Sequence, residues 1–186
     1  MKTGRRSAKI HTPALDLLPC DLTTMDIVLE NDPQKLGSHL GVEVRPGWSE
    51  YGLEPFRWTR DTLAVQPDNR GWLTYLIVHF NDNRLIGTCG FKGKPDAAGY
   101  VEIGYEIIPE YRLQGLATEV ARSLVERAFK YAVVTAVLAH TLPTDNPSTS
   151  VLRKAGLNRI GKVVDPDEGA VWRWRITQAE FRYRGR

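Results

Sequence analysis

Residues 101–131 read VEIGYEII, then PEYRLQGLAT, then EVARSLVERAFKY, and the order of these three pieces decides the fold. The first belongs to Tyr100–Ile108, an apolar stretch with the residue types of a β-strand. The last repeats apolar residues as adjacent pairs every four positions: Leu116 and Ala117, Val120 and Ala121, Leu124 and Val125, Ala128 and Phe129. Arg122, Ser123, Glu126, Arg127 and Lys130 fill the complementary face. That spacing predicts a long amphipathic helix to about Tyr131, with one stripe buried. Between strand and helix lies a tight loop, Arg112–Ala117, holding a single glycine.

A helix N-terminus exposes unpaired backbone N–H groups and the positive end of the macrodipole. A loop feeding into it can wrap its amides round an anion, most naturally a phosphate. Gly115 allows a sharp turn and a close approach, and Ala117 keeps the next position narrow. The same residues fit a plain strand–turn–helix connection, so spacing alone leaves both readings open. Two other phosphate loops are excluded. A Walker A loop needs G-x-x-x-x-G-K followed by Ser or Thr, and a dinucleotide fold needs G-x-G-x-x-G.

Arg112-Leu113-Gln114-Gly115-Leu116-Ala117 resembles the R/Q-x-x-G-x-G/A loop of the GNAT acetyltransferases, which grips the pyrophosphate of acetyl-coenzyme A. A second block, Asn146 to Leu157, resembles the N-x-S-x-x-V-L-x-K-x-G-F segment of the RimJ/RimL-type branch, the ribosomal-protein N-acetyltransferases. The resemblance spans roughly Trp72 to Trp174. The loop alone is a weak signature; two blocks in order, one strand apart, are a strong one.

Composition sets the frame. At 186 residues the chain reads as one domain over 10–178, large enough for a substantial core. No apolar stretch approaches the roughly 20 residues of a membrane span. Asp16 and Pro19 interrupt the apolar stretch after Arg5-Arg6, which argues against a signal peptide. Cys20 and Cys89 are too few for a disulfide framework and read as reduced thiols, so a cytoplasmic location is expected. The net charge is +3, yet four positive charges precede His11 and a net four lie from Arg173 onward, leaving −5 between. The basicity therefore sits on the ends. Residues 1–9 and 179–186 are expected to be flexible, solvated termini rather than a nucleic-acid surface.

The remaining elements follow from caps and alternation. Thr12–Leu18 is a first strand. Asp21 caps a helix to about Glu30, Pro33 to Gly41 is a second, and a third starts near Leu53. Trp72–Phe80 and Arg84–Lys92 form a hairpin about Asn81-Asp82-Asn83. Val133–Thr141 is a buried strand. Asn146 caps a short helix with Pro147 at its first position and Gly156 at its end. Leu157–Val164 and Ala170–Ile176 close a final hairpin. The order is α+β. It agrees with the GNAT fold, a mixed, mostly antiparallel sheet whose central parallel strands splay apart to admit the cofactor.

The resemblance implies acetyl transfer from acetyl-CoA to a primary amine by direct attack in a ternary complex, with no metal. The acceptor would be a protein N-terminus or a small molecule; a homodimer is compatible. The rival is a coenzyme A-binding sensor or interaction module without turnover. Pantetheine would run alongside backbone groups of Ile107 and Ile108. Pyrophosphate would rest on the amides of Leu113, Gln114, Gly115, Leu116, Ala117 and Thr118, with a contact from Arg112. Asn146 matches the family asparagine that contacts the cofactor, though capping alone explains it.

Glu102 is the candidate base, sharing a strand face with Gly104, whose missing side chain leaves room for an acetyl group. The bland alternative is a solvent-facing edge glutamate, and Glu106, of the same parity, replaces it if a bulge shifts the register. The tyrosine many relatives use on the leaving thiolate is missing between Asn146 and Gly156. Ser148 either donates that proton or belongs to the helix cap. His79 and His140 lie in apolar strands and read as core residues. Cys89 reads as a small buried hydrophobe. Trp48, Tyr51, Phe56 and Trp58 line an acceptor groove or fill the core.

Overall fold

A computed structural model describes residues 9–166 and 169–184. Their elements are β1 (Ile10–His11), β2 (Leu15–Pro19), α1 (Leu22–Leu29), α2 (Pro33–Leu40), α3 (Glu54–Val65), β3 (Thr74–His79), β4 (Arg84–Phe91) and β5 (Tyr100–Ile107). There follow α4 (Leu116–Phe129), β6 (Ala136–Thr141), α5 (Pro147–Ala155), β7 (Asn158–Asp165), β8 (Gly169–Thr177) and α6 (Gln178–Arg184). The strands form one sheet in the order β1-β2-β3-β4-β5-β6-β8-β7. β5 and β6 pair in parallel, whereas β1–β2, β2–β3, β3–β4, β6–β8 and β7–β8 pair antiparallel.

The span read as one domain divides into two compact units that interleave along the chain. The first ends at Phe91 and takes in Tyr105–Leu116; the second comprises Lys92–Gly104 and the chain from Ala117. The chain crosses between them at a turn, inside β5 and at the start of α4.

In the first unit, Asp21 caps α1 by accepting from Thr24 N at 3.0 Å, and Gly41 closes α2 in the left-handed conformation, φ 72°. Met25, Val28, Leu36, Phe56 and Leu63 from the three helices share one buried cluster with Leu73, Leu76, Val78 and Leu85. All eight residues of β4 are buried. Gly87 is required there, because a Cβ would be driven into the backbone carbonyl of Glu106. In the second unit the apolar stripe of α4 is sealed, with Val120, Ala121, Leu124, Val125 and Ala128 at most 1% exposed. Trp174 on β8, 1% exposed, donates its indole N–H to Thr141 Oγ1 at 3.0 Å.

Four boundaries differ from the sequence reading. The first strand starts at Leu15 rather than Thr12, and a two-residue β1 precedes it, because Pro13 interrupts the pairing and Thr12 forms a turn, its hydroxyl accepting from Leu15 N at 2.9 Å. A 3-10 turn, Pro109–Tyr111, precedes the loop at Arg112. β6 starts at Ala136, since Val134 N is committed to a turn onto Tyr131 O at 3.0 Å. Gln178–Arg184 is helical where a flexible tail was expected. Thr177 caps it, its N–H donating to Glu180 Oε2 at 2.7 Å, and Phe181 packs on Phe129 with ring centroids 5.1 Å apart. Residues 1–8 and 185–186 of the basic ends lie outside the described residues.

Candidate active site

The loop at 112–115 has the backbone of an anion cradle. Residues 112–115 are exposed, Leu113 at 98%. Leu113 and Gly115 both adopt positive φ, 61° and 84°. For a leucine that conformation costs about 1–2 kcal/mol, and such strain persists where surrounding structure enforces it. The N–H groups of Leu113, Gln114 and Gly115 meet no backbone acceptor among the described residues. A Cβ on Gly115 would meet nothing within 4 Å. Open space and unpaired donors suit a pyrophosphate. Arg112 points elsewhere: Nε donates to Ile107 O at 2.7 Å, and the guanidinium pairs with the Glu50 carboxylate. Ile108 N donates to Ile86 O at 2.9 Å and Ile108 O accepts from Tyr111 N at 3.0 Å. Each carbonyl keeps a second lone pair for a ligand amide.

Glu102 sits in the second unit as the centre of a polar cluster. Its Oε1 lies 2.6 Å from Lys92 Nζ and 3.0 Å, obliquely, from His140 Nδ1. His140 Nε2 in turn accepts from Arg173 Nε at 3.1 Å. The Glu102 side chain is 22% exposed and that of His140 11%. Burial pushes the Glu102 carboxyl up, but the His140 and Lys92 contacts together outweigh it, so its pKa lies below the ordinary range. The carboxylate is ionised at neutral pH. The parallel ladder pairs Tyr100 with Ala136, Val101 with Val137 and Glu102 with Leu138, while β6 continues to Thr141.

Glu106 is placed quite differently, in the first unit. It is 8% exposed. Its Oε1 accepts from Ser49 Oγ at 2.6 Å and Thr88 Oγ1 at 3.2 Å, and Oε2 from Glu50 N at 2.9 Å. Glu106 anchors the 49–50 turn.

On α5, Asn146 Oδ1 accepts from Thr149 N at 3.2 Å, and Thr149 Oγ1 accepts from Asn146 N at 3.4 Å. Thr149 therefore completes the capping box, and the half-buried Ser148 stands outside it. Asn146 Nδ2 is also engaged, donating to Thr144 O at 3.1 Å.

An acetyltransferase (GNAT) domain family model matches residues 27–158. The chain belongs to this family. As a GNAT protein it is an acetyl-CoA-dependent N-acetyltransferase. N-acetyltransferase YjdG of Bacillus subtilis (strain 168) is 26% identical over 148 residues, which cover 79% of this chain and 88% of YjdG. RimL, a ribosomal L7/L12 alpha-N-protein acetyltransferase solved in complex with coenzyme A, has a TM-score of 0.66 at 14% identity, covering 91% of this chain and 98% of RimL. Aminoglycoside acetyltransferase AAC(6')-Ib, solved with coenzyme A and kanamycin, has a TM-score of 0.61 at 17% identity, covering 93% and 100%. At such identities the two solved structures bear on the fold, and they share it.

The other sequence candidates of this GNAT chain separate cleanly. Trp48 and Phe56 are core, with rings 5.4 Å apart, whereas Tyr51 and Trp58 are 62% and 50% exposed. His79 Nδ1 is 2.9 Å from Asp82. His140, read as a core residue, is instead the bridge between Glu102 and Arg173. Its signal was a titratable ring in an otherwise apolar strand. Among the described residues, no group of three His, Cys, Asp or Glu side chains could hold a metal, and no helix is long and apolar enough to cross a membrane.

Cys20 and Cys89 are free and buried, and burial pushes both thiols up. An aromatic disulfide reagent is therefore expected to titrate neither thiol in the native protein and both after denaturation. Fast native reaction at either would contradict the burial. The same reagent can then follow coenzyme A release without a protein background.

Proposed function

We propose that this enzyme acetylates the α-amine of a peptide or protein N-terminus, in the manner of the RimJ/RimL-type branch. The observation carrying this reading is the state of Glu102. A carboxylate stabilised by Lys92 and His140 is a weak proton acceptor. Taking a proton from an α-ammonium of pKa near 8 would be uphill by about 5 kcal/mol or more. Glu102 is better suited to stabilise the positive charge that grows on nitrogen as a neutral amine attacks. The acceptor must then arrive neutral. At pH 7 that costs about 1 kcal/mol for an α-amine and about 4–5 kcal/mol for lysine. RimL, of the same fold, is named for an α-amine acceptor.

Acetyl-CoA supplies the activated thioester. The amides of Leu113, Gln114, Gly115, Leu116, Ala117 and Thr118 would hold its pyrophosphate, and Arg112 would join them by giving up Glu50. Ile107 and Ile108 offer the second lone pairs of their carbonyls to pantetheine amides. Ser148, free of the helix cap, would pass a proton to the departing thiolate and regain one from the nitrogen as the amide forms, so that the amine's proton ends on the thiol of coenzyme A, and Asn146 would fix the start of α5 beside it. Holding amine and thioester together supplies most of the acceleration. Two free, buried cysteines favour a reducing, cytoplasmic setting.

The test is thiol release from acetyl-CoA near pH 7 with three probes: an unblocked lysine-free peptide, an N-acetylated peptide carrying one lysine, and kanamycin. The unblocked peptide is expected to exceed the others by about a hundredfold in kcat/KM, following the cost of neutralising each amine. Faster turnover of lysine or kanamycin would overturn the α-amine reading. In the same assay Glu102→Gln is expected to lower kcat by about a hundredfold while acetyl-CoA affinity changes little. Equal rates would remove Glu102 from the mechanism.

A further inference from the structure

The side chains behind Glu102 form a chain of contacts drawn from three further parts of the second unit. Lys92 follows β4, His140 is on β6 and Arg173 on β8, where it pairs in register with His140. The chemistry of these contacts has a direction. A guanidinium nitrogen can only donate, so the 3.1 Å contact from Arg173 Nε requires a lone pair on His140 Nε2. A neutral imidazole carries one ring proton. With Nε2 an acceptor, that proton is on Nδ1, the nitrogen 3.0 Å from Glu102 Oε1. Lys92 Nζ reaches the same oxygen at 2.6 Å. Lys92 Nζ and His140 Nδ1 thus both lie nearest Oε1 rather than Oε2, the His140 contact being oblique and short of hydrogen-bond geometry.

We propose that Arg173, His140 and Lys92 are positioning residues that orient Glu102 through Oε1 and leave Oε2 to face the nitrogen of the acceptor amine. Arg173 sets the tautomer of His140, and His140 with Lys92 sets the rotamer of the carboxylate. None of the three touches the reacting atoms. This assignment rests on the proposed role of Glu102 and extends it to three residues that the sequence motifs do not include. It also gives the basic β8 a purpose other than solvation.

The test uses the full chain, acetyl-CoA and the unblocked lysine-free peptide, with two independent readouts. Long-range proton–nitrogen NMR of the histidine rings near neutral pH reads the tautomer directly. His140 is expected as the neutral Nδ1–H form, and Arg173→Gln is expected to move it towards Nε2–H. Kinetically, His140→Ala is expected to lower kcat/KM for the peptide about tenfold to a hundredfold, the worth of the hydrogen bond to the carboxylate that the oblique contact becomes once bound substrate straightens it. The dissociation constant for acetyl-CoA should stay unchanged. His140→Asn, whose Nδ2 stands in for Nδ1–H, should recover most of that loss. The proposal is overturned if wild-type His140 is Nε2–H or imidazolium, if His140→Ala keeps its peptide kcat/KM, or if Asn falls as far as Ala. A wild-type enzyme that turns over none of the three amine probes would instead refute the α-amine reading, and the tautomer measurement would still decide the inference.

Discussion

Replacing Gly115 by aspartate is expected to weaken acetyl-CoA binding about a thousandfold, with the protein still folded. Gly115 sits at φ 84° in the exposed loop before α4, and a side chain there would meet nothing within 4 Å. Sterics therefore allow the substitution, and Asp is among the residues that tolerate the left-handed region best. What changes is charge. A carboxylate about 5 Å from one phosphate charge, at an effective dielectric near 20, adds about 3 kcal/mol of repulsion. Residual backbone strain adds about 1 kcal/mol. Together these correspond to roughly three decades in Kd. Gly115→Asn separates the two contributions, because it keeps the shape and the backbone preference without the charge. Calorimetry should show the asparagine variant within about tenfold of wild type and the aspartate variant without measurable binding. Unchanged affinity in Gly115→Asp would remove the pyrophosphate from this loop, and with it the roles of Leu113–Thr118.

The strand–loop–helix order around Gly115 was legible in the sequence because the signals that mark it are local. One glycine, the paired apolar residues of α4 and an Asn-Pro start to α5 each act within a few residues, so periodicity and capping rules reach them. Asp21 and Gly41 were legible for the same reason. Position on β5 was enough to single out Glu102 as a candidate, but not to show its surroundings, since Lys92, His140 and Arg173 come from three separate parts of the chain. Only register brings Arg173 opposite His140. α6 was overlooked because its seven residues carry net basic charge and its one large apolar anchor is Phe181, on Phe129. Parity alone left Glu106 as the replacement for Glu102 should a bulge shift the register. Tertiary partners separate them: Glu102 meets a lysine and a histidine, Glu106 two hydroxyls and a backbone N–H.

That contrast yields a large expected effect on stability. Glu106→Ala removes a buried acceptor from Ser49 Oγ, Thr88 Oγ1 and Glu50 N at once. The two hydroxyls can rotate to other acceptors, but the backbone N–H of Glu50 cannot, and an unsatisfied buried donor costs about 1–3 kcal/mol. Losing a whole buried polar network, with the space its side chain filled, raises the expected loss to about 3–5 kcal/mol. For a chain of this size that is a fall in Tm of roughly 10 °C or more. Glu106→Gln preserves the volume and one carbonyl acceptor, while its amide opposes one of the donors, so an intermediate fall is expected. Kinetics distinguishes an anchor from a base. If Glu106 only holds the 49–50 turn, the glutamine variant loses Tm while keeping kcat within a few-fold of wild type. If it takes the proton, kcat falls about a hundredfold or more at nearly unchanged Tm. The second pattern would make Glu106 the general base that Glu102, with its carboxyl held low by His140 and Lys92, is not. The three neutral donors around its carboxylate predict the first.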